Sequence, residues 1–316
     1  AAPEKIDVRV SGNIIKNAKS VSVPGTGGRK GIEAACAAGL IAGDADRELE
    51  VIARITQEER KGIEEYLAAG RVTTGLKPDA RIFDILVTVE AGGHTASARI
   101  ADRHTNVVEL VNDGKSLTHQ ALGDEAGDDG PEAFLTVEGI YDFAATCDLT
   151  DVEGPIRRQM AANSRVAEEG LTGEWGACIG RVLMAREKEP CVRLRACAMA
   201  AAGSDARMSG CPLPVVINSG SGNQGLTVSL PVMEYAKAWQ KSEDALLRAL
   251  TLSNLVAIRQ KTPIGCVSAY CGAVSAGCAA AAGIAFLGGG DLRLINHVIV
   301  NGLAILSGTI CDGSKP

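Results

Sequence analysis

Residues 264–290 run 27 positions without a charged side chain. That is long enough to cross a bilayer as a helix. The residue types argue against it, because Ala, Gly, Ser and Cys dominate the stretch and gain little from hydrocarbon. It reads instead as a helix buried in protein, closed by a glycine turn at residues 288–290. Such a helix sets the style of the core. Only 3% of residues are aromatic against 46% apolar, so the interior must be built from Ala, Val, Leu and Ile with many glycine contacts. That favours closely packed helices over an aromatic-rich β sandwich.

The length, 316 residues with 22% charged, suits a globular chain of one large domain or two ordinary ones. The net charge of −6 and the lack of a basic run exclude a nucleic-acid backbone or an anionic membrane as the expected partner. No basic segment followed by an apolar run opens the chain, so a cytoplasmic location is expected. The ten cysteines are irregularly spaced, mostly inside apolar runs, and form no Cys-x-x-Cys pair. Most should be buried free thiols in a reducing compartment rather than a disulfide framework or a zinc ribbon.

Residues 5–10 alternate as a strand. The loop VSVPGTGGRK at 21–30 should open a helix at 31–41, and Asp46 should cap a second helix that carries Leu49, Ile52, Ile55, Ile63, Tyr66 and Leu67 on one stripe. Residues 82–90, 95–100, 106–111 and 116–119 read as an antiparallel meander, with Asn112-Asp113-Gly114 as a hairpin signal. GDEAGDDG at 123–130 is the expected linker. Helical periodicity then predicts helices near 131–146, 151–169, 174–187, 192–203, 224–239, 243–259, 265–286 and 292–308. The fold class is therefore α+β, with an antiparallel-sheet-containing domain at 1–125 and a larger all-α, Ala/Gly-rich domain at 126–316.

Three small-residue segments read as non-helical and chemically equipped: residues 24–30, SDARMSGCPLP at 204–214, and NSGSGNQG at 218–225. The last offers Asn218, Ser219, Gly220, Ser221, Gly222, Asn223 and Gln224 ahead of an apolar helix. Unobstructed backbone N–H groups at a helix start suit a carboxylate or phosphate. Arg207 has the fork geometry to clamp a carboxylate, and an ion pair with Asp205 is the competing reading. His104 opens the segment His104-Thr105-Asn106 as a strand start and is either an ordinary surface residue or a general acid–base. His297, among Val, Ile and Leu, reads as a packing position. Cys271 and Cys311 lie 40 residues apart at the ends of a helix pair, where two thiolates could meet.

The strings SGNIIKN, VSVPGTGG, HTN, GLTGEWGACIG, SDARM, NSGSGNQG, SAYCGAVSAG and GTICDG occur in this order from about residue 8 to 313. Together they resemble the cysteine desulfidase family, related to the α chain of bacterial iron–sulfur L-serine dehydratase. The resemblance implies a lyase that converts L-cysteine and water to sulfide, ammonia and pyruvate, with L-serine as the alternative substrate. It implies a 4Fe–4S cluster acting as Lewis acid, with Cys271 and Cys311 as ligands. It implies a small amino-acid substrate bound at 218–225 and near Arg207, with His104 or Lys16 as the base. A homodimer is an open expectation. The family's third cluster cysteine lies in a Cys-Thr-Glu-Pro-like stretch that this sequence lacks, and the family continues past Pro316. An incomplete, inactive copy is the corresponding expectation. Two other classes compete. The pattern Ser-x-Gly-Asn-x-Gly at 219–225 also resembles the substrate loop of pyridoxal-phosphate dehydratases, which would make Lys16 a Schiff-base lysine. A non-catalytic carboxylate-binding protein would bind without turnover.

Overall fold

A computed structural model of the chain describes residues 2–120, 122, 135–265 and 270–307. Six strands form one sheet in the order β2-β1-β3-β4-β5-β6: β1 (Lys5–Val10), β2 (Val72–Leu76), β3 (Asp84–Ala91), β4 (His94–Ala101), β5 (Val107–Asn112) and β6 (Lys115–His119). β3 to β6 are the expected antiparallel meander. β1 lies antiparallel to β3, with Val8 opposite Val87. The sheet as a whole is mixed, because β2 runs parallel to β1 with Ile6 opposite Val72. β2 was not expected. It is five residues long and contains Gly75, a poor strand former, over which the exposed Arg9 side chain lies.

Ile6, Val8 and Val10 alternate inward and meet α2 (Gly31–Ala42) and α3 (Gln57–Ala68) through Ile32, Ala34, Ala38, Ile63 and Tyr66. A short α1 (Gly12–Ala18), capped by Ser11, follows β1 directly. The single stripe expected from Asp46 onward is broken. A 3-10 turn spans Ala45–Glu50, capped by Asp44 rather than Asp46, and α3 starts afresh at Thr56. Thr56 and Glu59 form a reciprocal capping box, which nucleates a new helix there.

The second half holds α4 (Val137–Thr146), α5 (Glu153–Thr172), α6 (Ile179–Met184), α7 (Val192–Met208), α8 (Gly222–Ala238), α9 (Glu243–Lys261), α10 (Gly272–Leu287) and α11 (Leu292–Leu306). α10 is the uncharged helix and is buried as its composition requires, with Ala276, Ala279 and Ala282 against Val228, Leu252, Val256 and Ile295. It begins at Gly272, later than the expected 265, and ends in a glycine turn with Gly289 at φ 87°. The expected linker at 123–130 and the domain boundary at 125–126 lie outside the described residues. Glycine lets the helices approach: a methyl at Gly203 would stand 3.0 Å from Leu226 Cδ2 on α8, and Gly170 on α5 faces the Ala202 carbonyl on α7 without room for one.

Three further expectations need correction. Residues 204–208 are the last turns of α7, not a loop, because the Ala-rich run continues until Gly210 ends it at φ 87°. Cys211 N–H donates to Ala206 O and Gly210 N–H to Arg207 O, the paired bonds of a Schellman ending. His297 points outward from α11 and is exposed. Of the eight described cysteines, all free, only Cys147, Cys211 and Cys278 are buried, while Cys191 and Cys197 are exposed. Among the described residues, no helix is long and apolar enough to cross a membrane.

Candidate active site

The segment 218–225 is a two-residue hairpin turn that runs straight into a helix. Asn218 N–H donates to Ser221 O at 3.1 Å and Ser221 N–H to Asn218 O at 3.0 Å. The two central residues, Ser219 at φ 46° and Gly220 at φ 78°, are both left-handed, as such a turn demands. Only 218–221 are thus non-helical; Gly222, Asn223 and Gln224 are the first turn of α8. Ser221 caps it by accepting from Gln224 N–H at 3.3 Å. Gly222 and Asn223 N–H are left without intrahelical acceptors, a fixed positive edge beside the turn.

Two side chains from distant segments lie on this turn. The His104 ring packs on Gly220, where a methyl would stand 2.9 Å from Cε1. The Arg207 guanidinium lies against Gly222, where a side chain would collide with it. Glycine at both positions is therefore a matter of space as well as backbone.

His104 does not open a strand. It sits in the turn between β4 and β5, held by Asn106, whose side chain donates to Ala101 O at 3.0 Å. Its ring packs on Phe83 with centroids 4.7 Å apart. Burial pushes its pKa below the ordinary histidine value, which favours the neutral imidazole. Arg207, at the end of α7, donates to Asn223 Oδ1 at 3.1 Å and approaches Met208 Sδ at 3.3 Å. Its pair with Asp205 does not form. Asp205 accepts instead from Ile179 N–H at 2.7 Å, and Arg207 has no carboxylate partner among the described residues. Burial disfavours its charge, so an anionic ligand would relieve a real cost.

Behind the turn, Gln224 is fully buried and leads to the start of α10, where Cys271 occupies the N-cap position, half-buried. Cys311 lies outside the described residues, so its distance from Cys271 is not defined. Lys16 lies half-buried on α1, in the sheet-bearing half of the chain. Lys261 and Phe83 also border this cluster, through Gly272 and His104. Lys261 is buried at the end of α9, with Nζ donating to Tyr270 O at 3.4 Å. Its one signal was position: it is the last charge before the uncharged run. Phe83 carried none, since its value lies in meeting His104. A groove of about 430 Å³ between α5, α7 and α8 shares no lining residue with this cluster.

Among the described residues, no three His, Cys, Asp or Glu side chains converge to hold a metal ion. Cys271 fits one ligand position, since its thiol stands at a helix N-terminus that favours negative charge.

The comparisons with known proteins place this α+β chain in a family. The chain belongs to the serine dehydratase alpha chain family, which matches residues 46–315. It is similar to a UPF0597 protein of Desulfitobacterium hafniense, 49% identical over 319 residues, covering 100% of this chain and 74% of that one. A UPF0597 protein of Lachnoclostridium phytofermentans is 44% identical over 313 residues, covering 99% and 75%. One of Finegoldia magna is 42% identical over 315 residues, covering 99% and 75%. No solved structure matches the chain. Family membership points to a serine-dehydratase-like lyase. The expectation of an inactive copy draws no support from these matches.

Proposed function

We propose that the protein is an α,β-eliminating lyase for a small β-substituted amino acid. The proposed reaction takes L-cysteine and water to sulfide, ammonia and pyruvate, and L-serine is the alternative substrate. One observation carries the reading: His104 and Arg207, far apart in sequence, pack on Gly220 of the turn and Gly222 at the start of α8, beside Cys271's helix.

Each residue has a chemical task. Arg207 presents only donors and would take the substrate carboxylate in fork geometry. Gly222 and Asn223 N–H would add to that anion pocket and stabilise the enolate-like charge as Cα loses its proton. His104, kept neutral by burial, would accept that proton. We assign it the base role over Lys16 because it borders the turn. The family's iron–sulfur dependence makes a 4Fe–4S cluster the implied cofactor, with Cys271 and Cys311 among its ligands, and such a cluster supplies Lewis-acid help to the departing sulfur or oxygen. The free thiols suit the cytoplasm, where we place the protein.

The test is anaerobic incubation with L-cysteine and, separately, L-serine, with assay of pyruvate and sulfide. Pyruvate from either amino acid is expected. Iron-loaded protein that releases none from both would overturn the proposal.

A further inference from the structure

The Gln224 carboxamide is 0% exposed, yet only its nitrogen has a partner. Its orientation follows from a fixed anchor. The Asn254 main-chain oxygen can only accept, and Asn218 Nδ2 donates to it at 3.2 Å and to Asn254 Oδ1 at 2.9 Å. Asn218 therefore turns Oδ1 toward α8, where it accepts from Gln224 Nε2 at 2.8 Å and from Ser219 Oγ at 2.9 Å. Gln224 must direct Oε1 the other way. That oxygen has no hydrogen-bond donor among the described residues, and it points at Gly272, where any side chain would overlap it.

A buried acceptor without a donor is costly and marks a place where a ligand supplies the missing group. The group must be a donor; a carboxylate cannot serve. Arg207 bonds Asn223, the residue before Gln224, while Lys261, whose Cε lies 3.8 Å from the Cβ position of Gly272, turns its Nζ to Tyr270 O. Arg207, which only donates, thus meets the first turn of α8 at Gly222 and Asn223, and the acceptor-only oxygen stands on the next residue; these are the two kinds of group that the charged ends of an α-amino acid require.

We propose that Gln224 Oε1 accepts from the substrate's α-ammonium and so restricts the site to α-amino acids. The identity of the site rests on the elimination reading above, but the amine contact can be tested without turnover. L-Alanine and propionate differ only by the amine, and neither carries a β leaving group. Each is titrated calorimetrically into the anaerobically prepared protein, its Gln224→Met variant and its Gln224→Glu variant. The wild type should bind L-alanine roughly ten- to hundredfold more tightly than propionate, the range of a hydrogen bond to a charged partner. Gln224→Met should lose that ratio while holding propionate as before, and Gln224→Glu should raise it. Equal binding of the two ligands by wild type, or an undiminished ratio in Gln224→Met, would overturn the assignment. Where Gln224→Met does not fold, an unchanged ratio in Gln224→Glu overturns it instead. Pyruvate release from L-cysteine is followed in parallel. Amine-selective binding without pyruvate would sink the elimination reading and leave this assignment standing; pyruvate without amine selectivity would do the reverse.

Discussion

Gly222 and His104 make the proposed chemistry testable one side chain at a time. Gly222 has an ordinary helical backbone, so Ala costs it no left-handed strain, yet a methyl there runs into Arg207. Gly222→Ala should therefore displace the guanidinium and raise KM about tenfold or more, while changing stability by less than about 1 kcal/mol. Steady-state kinetics beside thermal melts would check this; an unchanged KM would mean that Arg207 does not hold substrate. His104 carries the pH dependence. Its pKa lies below the ordinary value of 6.5 because burial penalises the imidazolium. A base must be unprotonated, so kcat/KM should hold as pH falls past 6.5 and drop only below it. A pH profile with its acid limb above 6.5 would contradict the role.

The end of the sheet that carries His104 is held by charge as well as packing. Asp84, at the start of β3, is fully buried and accepts from Arg99 at 2.9 and 2.7 Å and from Arg81 N–H at 3.2 Å, with Lys77 Nζ at 3.1 Å. Burial alone would raise its pKa, but these hydrogen bonds outweigh it and hold the carboxyl below its ordinary range. A depressed folded-state pKa means stability that is present above the unfolded value and lost as pH falls through the folded one. Asp84→Asn would strand two cations and should cost about 3–5 kcal/mol. Urea unfolding at neutral pH measures that loss, and a variant within 1 kcal/mol of wild type would mean that solvent already screens the pairs. The same end of the sheet shows what sequence could and could not convey. Short β-rich runs separated by turn residues marked β3 to β6, although burial does not alternate along them, and the hairpin signal marked the turn at Gly114. β2 escaped because five residues interrupted by Gly75 carry no alternation of their own; pairing with β1 makes them a strand. SDARM looked like a loop because Ser, Asp and Gly flank it, whereas the alanines before it hold the helix to Met208.

The two halves of the chain meet at the site. His104 arrives on the sheet, Arg207 on α7, and the turn at 218–221 stands between them; Gly210, just past α7, also packs on Ser22, with 3.2 Å from its Cβ position to Ser22 Cβ. The turn itself was legible, since Asn, Ser and Gly in that pattern carry the required backbone freedom. Its meeting with His104 was not, because no local pattern encodes a contact between residues 104 and 220. Nor was the orphaned Gln224 oxygen, which exists only through the chain of amides from Asn254. The clearest test of this shared site compares His104→Asn and Arg207→Lys on anaerobically prepared protein, with pyruvate release from L-cysteine or L-serine as the readout. His104→Asn should lower kcat about 10²- to 10⁴-fold with little change in KM, as loss of a general base does. Arg207→Lys should chiefly raise KM, because an ammonium keeps the charge and loses the fork. Wild-type kcat and KM in both variants would contradict the account.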